Sequence, residues 1–512
     1  MDKEYVIGID IGSSNVVMAV GHRNENGEIT VLGVDVQEVE DSVKDGDIIN
    51  YIELGKAIAK AKSALESELG LRLNSAYVGV SGRSVYCVRY EDYVEINTRT
   101  GCVTDAEMRE LNARIDMVVP AGGDKIIQRI PLRYSIDNHQ DVQNPLGAFG
   151  SKLSATYLLV VMGAHLEDRV NRALHRAEIR ANGLCVSPTL LPELLLTPYE
   201  KEEGVVIVDI GSDLTDISVV RENKLWYFSS LPIGASSINN DLHDFLKISK
   251  KEINPLKHKY GSAIASCVPD NTSISVKTAG HAKKQILQRN IAEIAEERLK
   301  DIAQFVLREL RVAKFSTKVP CGVVLTGGSA YLDNIDKLFA RELNMEVRLG
   351  DMLNGLDDDS QQSVSAYPQS VVMGLLLYGA KHNACETAPG IPSHTPASSG
   401  LTTTPEAPKE EEKKPEAPKE ESVKEMDIVV PEPKTIQGEE KPEEDQNEPG
   451  EDNKTTNKPG DDEENNRGGC NNGGDDDDDD ENENENKNNG KGLLTKFKNF
   501  IDGIFEQKNE YI

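Results

Sequence analysis

A strand, an aspartate, a spacer, a glycine, a hydroxyl and a second strand are written twice in this chain, as "YVIGIDIGSSNVVMAV" from Tyr5 and "GVVIVDIGSDLTDISVV" from Gly204. Each copy reads as a β-hairpin, because two β-branched runs flank a short turn that glycine enters at little cost. Such a turn suits phosphate. Glycine lets the backbone come close, successive N–H groups form an anion nest, and the serine hydroxyl adds a donor. The aspartate at the strand end suits a hydrated magnesium ion bridging phosphate oxygens. Two copies imply two related halves, with a cleft between them that clamps a polyphosphate from both sides.

The surrounding sequence agrees with that division. From Asp2 to about Asn383, β-branched runs alternate with helical periodicity, the pattern of an α/β architecture. Helices are expected over 51–70 and over 286–313, where Ile291, Ile294, Ala295, Leu299, Ile302, Val306 and Leu310 recur at three- and four-residue spacing. A third glycine element, "VVLTGGSAYLDNIDKLF" from Val323, reads as strand, Gly-Gly turn and helix start, and can lay backbone flat against a nucleobase.

Charge sorts the remainder of the 512 residues. Residues 386–490 hold 32 acids against 11 bases, so they supply −21 of the formal net charge of −30. Rich in Pro, Glu, Asn and Gly and ending in the run Asp475–Asp480, this stretch buries too little apolar surface to offset chain entropy. It is expected to be a disordered acidic linker, and its apolar island "MDIVV" at 426–430 is left without a role. The acidic balance argues against a nucleic-acid partner, which needs clustered Lys and Arg. Seven scattered cysteines without CxxC or Cys/His pairing read as reduced thiols of a cytosolic chain. No signal segment is expected ahead of Tyr5, and no apolar run approaches 18 residues.

Order is expected to return at "KGLLTKFKNFIDGIFEQ". Leu493, Leu494, Phe497, Phe500, Ile501, Ile504 and Phe505 form one helical stripe, accompanied by Lys491, Lys496 and Lys498. A broad, aromatic-rich stripe beside lysines favours a membrane surface over folding back on its own domain or docking in a partner's groove.

The order "DIGSSN" (10–15), "DIGSDLTD" (209–216) and "LTGGSAYL" (325–332) resembles the actin, Hsp70 and sugar-kinase superfamily, and more closely the bacterial cell-division family FtsA. Similar stretches include "AYVGVSG" at 76–82, "LPIGASSINNDL" at 231–242, "LKHKYGSA" at 256–263, "AEERLKDI" at 295–302 and "SVVMGLLLYG" at 370–379. The resemblance implies an actin-like two-lobed α/β fold of duplicated ribonuclease-H-like halves. The expected parts are 1–82 and 165–199 as subdomain 1A, 83–164 as the inserted subdomain 1C, 200–233 as 2A, 234–315 as 2B, 316–385 as the return to 2A and 1A, 386–490 as linker and 491–512 as membrane helix. It also implies an ATP- and Mg2+-binding protein that polymerises on the cytoplasmic face of the inner membrane at the division site. Its implied partners are FtsZ filaments, further copies of itself, other division proteins and lipid. By motif, Gly12, Ser13, Ser14, Gly211 and Ser212 fall to phosphate, Asn15 and Gly234 to the nucleotide site more broadly, and Asp10 and Asp209 to the metal through water. Gly327, Gly328 and Ser329 fall to the adenosine, and Lys257 and Arg298 flank base or ribose. A small-molecule kinase of the same superfamily and a pilus-assembly relative are the rival readings.

The chain departs from the family pattern in three places. Ser212, Asp213 and Leu214 replace a small Gly/Thr-rich turn, Asn15 replaces a common lysine, and Asn254 stands where a glutamate is usual. A carboxylate about 4 Å from a phosphate is repelled by roughly 4 kcal/mol at an effective dielectric near 20. The expectation is a nucleotide-binding scaffold with slow or absent turnover, its Asp213 either on the metal or turned outward.

Overall fold

A computed structural model describes residues 4–389 apart from short gaps at 40, 98, 138, 278–282, 316–318, 353, 365–366, 383–384 and 386. The linker and the terminal helix, with Leu493, Leu494, Phe497, Phe500, Ile501, Ile504 and Phe505, therefore lie outside the described residues. No helix among the described residues is long and apolar enough to cross a membrane.

The first half opens with β1 (Tyr5–Ile11), β2 (Asn15–Arg23) and β3 (Ile29–Glu38), followed by α1 (Tyr51–Leu69) and β4 (Ser75–Val80). The Asn50 side chain caps α1 by accepting from the N–H groups of Ile52 and Glu53, and Gly70 ends the helix at a φ of 64°. An insertion then supplies β5 (Val85–Glu95), α2 (Asp105–Asp116), β6 (Lys125–Ile136), β7 (His139–Val142) and β8 (Lys152–Met162). The chain returns through α3 (Ala164–Arg176), β9 (Arg180–Val186) and α4 (Ser187–Leu195). In the first sheet the strand order is β9-β4-β1-β2-β3, with β1 antiparallel to β2 and parallel to β4.

The second half repeats the opening with β10 (Val205–Ile210), β11 (Thr215–Arg221) and β12 (Lys224–Leu231). After them come α5 (Ala235–Leu246), α6 (Lys250–Tyr260), β13 (Ser273–Lys277), β14 (Lys283–Leu287) and α7 (Gln288–Val312). The half closes with β15 (Val323–Thr326), α8 (Ile335–Leu343) and β16 (Val347–Leu349), and α9 (Ser370–Lys381) then crosses back. Its sheet runs β12-β11-β10-β15-β16, with β10 antiparallel to β11 and parallel to β15. The strand relations around β10 thus match those around β1, as the duplicated motif requires.

Burial explains why the halves hold together. The central strands are apolar on both faces, as in Val205–Val208 and Ile7–Ile9, because helices cover both sides. Helix α9 belongs to the first half's core: a Cβ at Gly8 would lie 3.0 Å from that of Leu375, so glycine lets the helix lie directly on β1. The insertion has a core of its own, built on Val94, Leu111, Ile115, Leu153 and Leu159 within a sheet ordered β7-β6-β8-β5.

Candidate functional site

The two duplicated turns close in the same way. Gly12 N–H donates to the Asn15 carbonyl at 3.0 Å, and Gly211 N–H donates to the Leu214 carbonyl at 2.9 Å. Both turns line one cleft of about 380 Å³, together with Asp10, Ser13, Ser14, Asn15, Asp209, Ser212, Lys257, Gly327 and Gly328. Eleven of the fourteen residues assigned to the nucleotide by motif are therefore brought to one cavity.

The other three sit behind it. Gly234 packs on the back of the second turn, where a Cβ would lie 2.4 Å from the Ser212 carbonyl oxygen. The next N–H groups, of Ala235 and Ser236, donate to the Gly211 and Ser212 carbonyls. Ser329 is buried, and its Oγ finds no hydrogen-bond partner among the described residues. Arg298 is not among the residues lining the cleft, and its Nε and Nη2 donate to Asp241 at 2.7 and 3.0 Å. On this geometry it braces α7 against α5.

Gly327 shows how tightly the third element is fitted. Its φ is 86°, and a Cβ there would fall 2.3 Å from Asp209 Oδ1 and 2.6 Å from the Ile210 carbonyl oxygen. Only glycine lets the Gly-Gly turn press on the strand end that carries the acid.

Three carboxylates gather at the cleft floor, Asp216 buried and Asp10 and Asp209 half-buried. Asp216 pairs with Asp209 across the hairpin and accepts from the hydroxyls of Ser187, at 3.1 Å, and Ser230. Burial, with repulsion from Asp216, pushes the Asp10 carboxyl up to about 7. Asp209 is raised well above the usual carboxylate range by burial, by Asp216 and by Asp10. Burial also raises Asp216, against its two serine bonds. Such a set of hard oxygens lacks only positive charge, so its donor chemistry fits a divalent cation. No group of three side chains able to ligate a metal directly occurs among the described residues.

At the other end lies a buried cation. Lys257 is 6 % exposed, and its Nζ donates to Asn239 Oδ1 at 2.9 Å, while Asn239 Nδ2 donates to Asn254 Oδ1 at 3.0 Å. Desolvation alone brings its ammonium down to about 8. Asn254, one of the three departures, thus supports Lys257 through a neutral amide relay and gives it no counter-charge. Tyr331 and Tyr367 meet edge to face at 5.2 Å beside them, and both line the cleft.

Sequence reasoning missed Asp216, Ser187, Asn239, Tyr331, Tyr367 and Ser370. Asp216 and Tyr331 were readable, since both fall inside the glycine motifs, and a two-residue turn register puts Asp216 opposite Asp209. Ser187, Asn239 and Ser370 come from helices α4, α5 and α9, and Tyr367 from the turn before α9, so only the fold brings them together.

Two facing hairpins over a cleft, backed by a Gly-Gly turn from a parallel strand, define an actin-like two-lobed fold. Residues 206–367 match the family model of the cell division protein FtsA, and residues 82–161 match that of the SHS2 domain inserted in FtsA. The chain is 28% identical over 406 residues to the cell division protein FtsA of Pseudomonas aeruginosa, covering 79% of this chain and 95% of that one. It is 26% identical to FtsA of Escherichia coli K12, with 74% and 91% covered, and of Bacillus subtilis, with 68% and 79% covered. Among solved structures, the PilM-PilN type IV pilus biogenesis complex superposes with a TM-score of 0.51 at 14% identity, covering 73% of this chain and 98% of that one, which shows the fold alone. The chain is thus similar to the FtsA cell-division proteins over 406 residues, and its fold is actin-like.

Proposed function

We propose that this protein binds ATP with Mg2+ in the cleft, polymerises on the inner membrane surface and tethers FtsZ filaments there through its C-terminal helix. The observation that carries the nucleotide reading is the matched pair of turns, Gly12–Asn15 and Gly211–Leu214, opening onto one cavity. Their N–H groups and the hydroxyls of Ser13, Ser14 and Ser212 take the phosphates. Asp10 and Asp209 hold a hydrated magnesium ion, which when bound supplies the positive charge these acids lack. Gly327 and Gly328 carry the adenosine, with Tyr331 and Tyr367 beside it and Lys257 at its edge. Asn15 in place of lysine leaves phosphate charge to the metal, and turnover is slow.

Membrane attachment rests on the stripe Leu493–Phe505 and on the likeness to FtsA. Burying its seven large side chains at roughly 1.5–3 kcal/mol each is a gross figure, much reduced by chain ordering. A single copy binds reversibly, and a filament binds firmly because many helices engage at once. Full-length protein mixed with anionic liposomes and Mg-ATP is expected to coat the vesicles with filaments in negative-stain images. Phe497→Glu is expected to abolish flotation while leaving the folded part intact. Undiminished flotation of that variant rejects the helix as the anchor, and dispersed particles that phosphorylate a sugar favour a kinase instead.

A further inference from the structure

Asp213 stands at the tip of the second turn and lines the cleft. Its Oδ2 accepts the backbone N–H of Asp45, from the opposite half of the molecule, at 3.4 Å, and its Oδ1 lies 3.4 Å from Ser212 Oγ, which donates to it. Asp45 is itself the tip of a small hairpin whose strands are Val43–Lys44 and Asp47–Ile48. That hairpin is pinned to the first half. Asp45 and Gly46 have φ of 50° and 78°, and a Cβ at Gly46 would lie only 2.3 Å from the Ser81 carbonyl oxygen. Backbone therefore rests directly on backbone at the end of β4, and Ser84 Oγ donates to Asp47 at 3.2 Å to hold the far strand.

We infer that Asp213 is a positioning residue, a strap that ties the second phosphate turn to the 43–48 hairpin across the mouth of the cleft when no phosphate occupies it. This gives the acid a place that neither the metal nor the phosphate requires. The contact is also easily released. It holds two acids close together: burial first, then Asp213 and Asp47, raise the Asp45 carboxyl, while Lys44 and Arg83 lower it. A terminal phosphate seated in the turn adds a further negative charge beside Asp213 and frees the strap. That last step rests on the nucleotide reading above.

The test is hydrogen exchange, followed by mass spectrometry of the peptide spanning 43–50, in the full-length nucleotide-free protein. Asp213→Ala is expected to exchange about tenfold faster there than wild type, the scale of one lost hydrogen bond to a charged acceptor. Asp213→Asn keeps an acceptor oxygen without the charge and is expected to restore most of the protection. Unchanged exchange in Asp213→Ala overturns the strap, as does loss of protection in Asp213→Asn equal to that in Asp213→Ala. Added Mg-ATP is expected to bring wild type to the Asp213→Ala rate. A wild type that binds nucleotide by calorimetry and keeps the segment protected overturns the release step. A wild type that binds none overturns the nucleotide reading, and the strap is decided by the nucleotide-free comparison alone.

Discussion

Lys257 and Gly327 show what single residues contribute to the cleft and what they cost. A buried ammonium without a carboxylate partner among the described residues destabilises the empty protein, and its pKa records the penalty. The folded value of about 8 lies below a lysine's ordinary 10.5, so the unfolded chain holds more protons between those limits. Stability from this group therefore rises as pH climbs from 8 toward 10.5, and the burden is fully present below 8. Lys257→Met is expected to flatten that rise and to raise stability near pH 7 by up to about 3 kcal/mol, while weakening nucleotide binding. Denaturant melts of both proteins between pH 7 and 10 check the first part, and a variant that loses stability at pH 7 contradicts it. Gly327→Ala acts oppositely, because its methyl would meet Asp209 Oδ1 and its φ is positive. A loss of about 2 kcal/mol is expected in the same melts.

At the scale of elements, the inserted subdomain does more than decorate the first half. Its strands β5, β6 and β8 all lie against β12, the edge strand of the second sheet. Cys87 Sγ meets the Phe228 carbonyl at 3.2 Å, Lys224 Nζ donates to the Leu132 carbonyl at 2.7 Å, and the Arg133 guanidinium lies 5.1 Å from the Trp226 ring. Trp226 is the chain's one tryptophan and is 8 % exposed. Arg133→Ala is expected to expose it and shift its emission to the red, and an unmoved spectrum removes this contact from the interface. Helix boundaries show how far local pattern reaches. The helix expected over 51–70 is found at Tyr51–Leu69, since both a cap and a terminal glycine mark it. The one expected over 286–313 starts at Gln288, because Lys283–Leu287 pairs with Ser273–Lys277 and takes Ile286 and Leu287 into a strand. Apolar spacing alone cannot separate the last residue of a strand from the first turn of a helix.

At the scale of the whole molecule, the duplicated hairpin was enough to foresee two halves and a shared cleft, since strand, turn and strand are local chemistry. What it could not foresee was direction across distance. Arg298 is placed beside the base or ribose only by the likeness of its motif to the family, and the structure adds its bond to Asp241, 57 residues earlier in the chain. Tyr367 and Ser370 reach the cleft only because α9 returns from the second half to pack on β1. The most direct trial of the clamp is calorimetric titration of the protein with Mg-ATP, beside a Gly327→Val variant in which the third element cannot seat. One saturable site per chain in wild type, lost in the variant, is the expected result. No binding at millimolar nucleotide, or binding that survives Gly327→Val unchanged, would show that the two turns do not close on a nucleotide.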